Sequence, residues 1–115
     1  MSEQLIQRLR KQRESSLELQ PGVSITIRRP TEYEMTELLG GITEQHLKKH
    51  VVGWAGVTEA LLMGADMAPP DAVAFHADLW AEVVADRSEW FKAAADELKR
   101  ITQAYLEAKA ETRKN

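Results

Sequence analysis

Residues 50–64 read HVVGWAGVTEALLMG. Valines, one tryptophan and three glycines surround a single charged side chain, Glu59. The run Val51-Val52-Gly53-Trp54 reads as the end of a strand that starts near Lys48. Residues 57–63 read as a short helix stopped at Gly64. Gly53 and Gly56 are then the residues that permit a tight reversal between strand and helix. Trp54 is the side chain expected to pin the ribbon containing this strand onto a C-terminal helical hairpin.

A strand at this place needs a partner, and the sequence offers one upstream. Val23, Ile25 and Ile27 alternate with Ser24, Thr26 and Arg28, which predicts a strand over 23–29. Pro30 stops it by removing a ladder donor. Thr31 and Glu34 stand at capping-box spacing, predicting a helix to about Leu39 that closes at Gly40-Gly41. A further turn of helix is expected after Thr43. The two strands would form an antiparallel ribbon, which is unstable alone and must be covered by helices. Residues 1–20 carry only a thin apolar stripe, Leu5, Ile6 and Leu9. Four basic residues (Arg8, Arg10, Lys11, Arg13) stand against Glu3 and Glu14. This segment reads as a frayed or partner-dependent arm ended by Pro21-Gly22.

Downstream, residues 65–70 read as a loop whose exit Pro69-Pro70 directs. Asp71 is the expected N-cap of a helix to about Ala85. On that helix Ala72, Val73, Phe75, His76, Leu79, Trp80, Val83 and Val84 would share nearly half the circle. Asp86 and Glu89 have capping-box spacing and predict a break before a last helix. There Trp90, Ala94, Leu98, Ile101, Tyr105 and Ala108 make a stripe, and Asp96 and Arg100 are spaced for an i,i+4 pair. The short link implies an antiparallel helical hairpin, with a tail fraying beyond Ala110. The expected fold is α+β, mainly α. A two-stranded antiparallel ribbon packs on a C-terminal helical hairpin, with an arm over 1–20 and a single domain over 21–115.

At 115 residues the chain is one domain by size. A net charge of −3 argues against nucleic acid or an anionic membrane as partner. The absence of cysteine removes disulfides, thiolate nucleophiles and thiolate metal sites. No apolar run approaches the ~18 residues of a transmembrane helix, and the first residues lack a signal-peptide core.

The residues suggest no catalysis and no cofactor. His46 and His50 are spaced i,i+4, which can serve zinc, but residue 47 is Leu rather than the Glu of an HExxH motif. His76 falls within the apolar arc and reads as a core histidine bonded to backbone. Gly40-Gly41 lacks a following Lys-Ser/Thr, and no serine lies in a nucleophile elbow. What stands out is apolar surplus. The 71–85 arc is wider than one packing partner needs, so Val73, Trp80 and Val84, with Trp54, are the candidate partner-binding residues.

Three segments carry a resemblance. Arg28, Arg29, Pro30, Thr31 and Glu34 make an entry of the form RRPT-x-x-E. Val51, Val52, Gly53, Trp54, Gly56, Val57, Thr58, Glu59, Ala60 and Leu62 make the centre. Trp80, Asp86, Arg87 and Trp90 make a helix break. Over residues 24–115 the chain resembles the small tail assembly chaperones of tailed bacteriophages and prophages. Relatives usually carry an acidic residue where this chain has Leu61. The resemblance implies a non-enzymatic protein in the cytoplasm of the bacterial host. It would keep the tape-measure protein soluble and recruit tail-tube protein. The competing reading is a structural virion component, a tail or head-tail connector protein.

Overall fold

The computed structural model describes residues 2–64 and 71–114, so the loop expected over 65–70 lies outside the described residues. Helix α1 (Ser2–Gln12) is followed by strands β1 (Glu14–Gln20) and β2 (Val23–Arg28). A single turn, α2 (Glu32–Met35), runs on into a 3-10 turn at Thr36–Leu38. Next come α3 (Glu44–His50), β3 (Val51–Ala55) and α4 (Glu59–Met63). Two further helices, α5 (Ala77–Ala85) and α6 (Ser88–Lys114), complete the α+β, mainly α architecture.

The sheet has three antiparallel strands in the order β1-β2-β3, one more than the ribbon read from sequence. The added strand is the second half of the expected arm. Glu14 to Glu18 pair with Arg28 to Ser24, with an irregularity before Gln20 pairs with Val23 across the Pro21-Gly22 turn. Gly22 has φ +80°, which suits glycine at the third position of a type II turn. ESSLELQ gives little strand signal by itself; β2 supplies its hydrogen-bond partners. Arg28 and Glu14, a directly opposed pair, add an ion pair at 3.0 Å.

The alternation read in β2 holds: Val23, Ile25 and Ile27 are buried, and Ser24, Thr26 and Arg28 are half-buried. Across to β3, Ile25 faces Trp54 and Ile27 faces Val51, with a register shift between. That shift lets Val51 and Trp54, three apart, serve one face. The core joins this face to Leu47 of α3, Trp80 and Val84 of α5, and Trp90, Ala94 and Leu98 of α6. The helices therefore cover one side of the sheet only, as an amphipathic antiparallel sheet requires.

Each tryptophan ties its element to a distant segment through the indole N–H. Trp54 donates to the Val73 carbonyl at 2.7 Å, Trp80 to the Leu47 carbonyl at 3.1 Å, and Trp90 to Gln20 Oε1 at 3.2 Å. Buried indoles need such partners. Arg87 reinforces the set by donating to the Leu61 carbonyl at 3.2 Å while lying 4.7 Å from the Trp90 ring centre.

Several helix boundaries differ from the sequence expectation. Asp71 caps no helix, because 71–76 is not helical. Ala72 bridges to Thr58, and the Val73 N–H donates to the Val57 carbonyl at 2.8 Å. These long-range bonds, and the edge-on packing of Phe75 against Trp54, outcompete helix formation here. Helix α5 starts only at Ala77, with His76 as N-cap accepting the Asp78 N–H on Nδ1. Asp86 closes α5 rather than opening α6: its N–H donates to the Val83 and Val84 carbonyls. Asp96 pairs with Lys92, and Arg100 with Glu97, so the expected Asp96–Arg100 pair does not form. Helix α6 continues through the expected fraying point to Lys114.

Candidate functional site: an apolar cleft beside the long helix

The four partner-binding candidates do not form one surface. Trp80 and Val84 are 0% and 1% exposed and belong to the core, which corrects their assignment to an open face. The broad arc never forms, because Val73 and Phe75 lie in the non-helical segment before α5 begins. Those two, both half-buried, instead pack around Trp54 through the contacts already described. The turn glycines also separate. Gly56 has φ +80°, and a Cβ on it would lie 1.8 Å from the Gly22 carbonyl oxygen. Gly53 sits in β3 opposite Thr26, where a Cβ would make ordinary contact with Thr26 Oγ1 at 3.6 Å and Cβ at 3.7 Å. Only Gly56 is needed for the reversal.

An open apolar cleft lies elsewhere among the described residues, between the α2 segment and one flank of α6. Thr31 and Glu34 build it by the expected capping box. Glu34 Oε1 accepts the Thr31 N–H at 2.9 Å, and Thr31 Oγ1 accepts the Glu34 N–H at 3.2 Å. Lys49 of α3 holds this turn from behind, 3.1 Å from Glu34 and 3.3 Å from Glu37. Arg29 lies 3.8 Å over the Tyr105 ring, and Glu32 accepts from Tyr105 and Lys109, which fixes the segment to α6. The tight 3-10 turn then buries Met35, half-buries Leu38 and leaves Leu39 86% exposed. Gly41, with φ +107°, turns the chain so that Ile42 returns to the core edge.

On α6 the opposite wall is Ala95, Asp96, Lys99, Thr102, Gln103 and Leu106, spaced at three and four. The cleft so formed has a volume of ≈ 650 Å³. Its α6 wall runs about 16 Å at 1.5 Å per residue, the length of three helical turns. Its apolar residues are Met35, Leu38, Leu39, Ile42 and Leu106. Such a trough suits an amphipathic helix laid along it. Sequence reasoning missed it because Leu39 and Leu106 lie off the periodic stripes. The available signal was that each is a leucine left outside a stripe already filled.

The histidines take structural positions. The Thr43 N–H donates to His46 Nδ1 at 2.9 Å, capping α3. His76 is exposed at its N-cap, not in the core. Among the described residues no group of three or more His, Asp or Glu converges in metal-binding fashion. His50 is 3% exposed, and its Nε2 has no hydrogen-bond partner. Burial pushes its pKa below the ordinary 6.5, partly offset by the Glu34 charge. Burial also raises Glu34, but the Thr31 N–H and hydroxyl and Lys49 outweigh it and hold the carboxyl at about 2.

Both shifts act in the same direction. A depressed native pKa means that the unfolded chain binds more protons, so stability falls as pH falls. For His50 the loss begins near pH 6.5 and has a limiting slope of ~1.4 kcal/mol per pH unit. For Glu34 it begins near 4.5 and continues to about 2. Urea denaturation from pH 7 to 5 is therefore expected to show declining stability in the wild type. In His50→Leu the profile flattens. An equally steep profile in that variant would remove His50 as the cause.

Among the described residues no helix is long and apolar enough to cross a membrane. No protein-family model, curated protein or solved structure matches this chain.

Proposed function

We propose that this chain is a non-enzymatic tail assembly chaperone of a phage or prophage, acting in the cytoplasm of the bacterial host. It holds an amphipathic helical segment of the tape-measure protein and recruits tail-tube protein to it. The open cleft lined by Leu39 and Leu106 carries this reading. It supplies apolar area to a helical partner, while the charged remainder of the surface keeps the complex dissolved. The motif residues shared with that family support the reading indirectly. Arg29 and Thr31 hold the α2 segment that walls the cleft, and Trp54, Gly56, Arg87 and Trp90 tie together the rest of the scaffold, so a common motif here means a common frame. Leu61, the departure from that family, is half-buried against the core.

Burying a leucine side chain contributes ~1.5–3 kcal/mol, and a charge placed there also costs desolvation. Leu39→Glu combined with Leu106→Glu is thus expected to weaken tape-measure capture by at least ~100-fold without unfolding the protein. Co-purification with the tape measure and far-UV circular dichroism check the two halves of that statement. Undiminished capture by the double variant would remove the cleft as the site. Mass spectrometry of purified particles separates this function from the alternative, since a structural virion component would be found there and a chaperone would not.

A further inference from the structure

Helix α1 buries none of its residues, and Leu5, Ile6 and Leu9 are 50%, 43% and 47% exposed. It is an amphipathic helix whose apolar side chains stay exposed among the described residues. Its orientation is set by Arg13, whose N–H donates to the Arg10 carbonyl and whose carbonyl accepts the Arg29 N–H at 2.7 Å. This one-residue hinge, bonded on both sides, holds α1 away from its own cleft.

We infer that α1 seats in the cleft of a second copy of this chain, and that two copies exchange arms reciprocally. Three properties of the molecule fit this occupant. The first is length: 11 residues make a helix of ~16 Å, matching the α6 wall from Ala95 to Leu106. The second is charge. Residues 1–13 carry Arg8, Arg10, Lys11 and Arg13 against Glu3, a net +3; the whole chain carries −3, so the remainder carries −6. At the cleft itself the charges balance, Asp96 with Lys99 and Glu107 and Glu111 with Lys109 and Arg113, so the attraction comes from the body as a whole. A basic arm is drawn to such a body, and two-fold exchange satisfies both copies. The third is area. A docked helix of this length covers on the order of 350 Å² on each partner, so two arms bury on the order of 1,400 Å², enough for a stable dimer. The inference goes beyond the assembly function and does not depend on it. If the cleft also takes a client helix, α1 is the placeholder that the client displaces.

The test needs only the full-length protein. Light scattering after size exclusion at about 100 µM is expected to give a dimer, twice the 13.0 kDa chain mass. Leu5→Glu with Leu9→Glu, and separately Leu39→Glu with Leu106→Glu, should each raise the dimer dissociation constant by at least ~100-fold. All four positions are exposed, and circular dichroism verifies that the variants fold. A monomeric wild type overturns the inference. So does a cleft variant that stays fully dimeric, which would assign the contact to α1 pairing with α1 or to another face. Neither result bears on capture of the tape measure, which is measured separately.

Discussion

Replacing Gly56 by valine is expected to destabilise the protein by on the order of 4 kcal/mol, a large share of the 5–15 kcal/mol typical of a domain. Two costs combine. At φ +80° an L-residue with a β-branched side chain is strained by ~1–3 kcal/mol. The new Cβ would also sit 1.8 Å from the Gly22 carbonyl oxygen and 2.9 Å from its carbon. Both are backbone atoms of the β1–β2 turn, so the clash cannot be relieved by rotating a side chain. Either the turn moves, or the reversal after β3 opens and the Trp54–Val73 bond is lost with it. Gly53→Ala is the control. Its Cβ would make ordinary contact with Thr26, and the expected cost is under ~1 kcal/mol. Urea denaturation of both variants measures the difference. A Gly56→Val protein within ~1 kcal/mol of wild type would mean that the turn is not built as described.

Trp80→Ala is the second large effect, expected at roughly 4–6 kcal/mol. Removing a fully buried tryptophan side chain costs ~3–5 kcal/mol in transfer and cavity terms. The Leu47 carbonyl, which accepts its indole N–H in the interior, keeps the Val51 N–H as a donor, so the lost bond adds only ~0.5–1.5 kcal/mol. Trp80→Phe separates the two contributions, since it retains most of the volume and loses only the donor. The same pair of variants decides between the arc read from sequence and the burial seen in the fold. A tryptophan reserved for a foreign chain would leave stability unchanged and lose only binding. A core tryptophan loses stability first, and chemical denaturation in the absence of any partner is the discriminating measurement.

The cleft and α1 show why a function of this kind is hard to read from a chain. The apolar residues that are easiest to notice, Trp80, Val84 and Trp90, are large and periodic, and the fold uses them to close itself. The residues we propose as the partner-binding ones, Leu39 and Leu106, are ordinary exposed leucines. Their exposure depends on how the 3-10 turn and α6 are placed against each other.

What the sequence determined by itself is the set of features that depend on neighbours a few residues apart. The alternation of β2, the Thr31–Glu34 capping box, the stop at Gly64 and the stripe from Trp90 to Tyr105 belong to this class. In each the physical cause, a side-chain period or a cap, lies within one or two turns of chain. The tertiary structure alone decided the rest. Residues 14–20 are a strand because β2 offers them hydrogen bonds, and 71–76 are not helical because Val57, Thr58 and Trp54 claim their backbone. His76 became a cap rather than a core residue for the same reason. Backbone groups must be paired when water is excluded, and a partner on another segment leaves no mark in the periodicity of the segment itself.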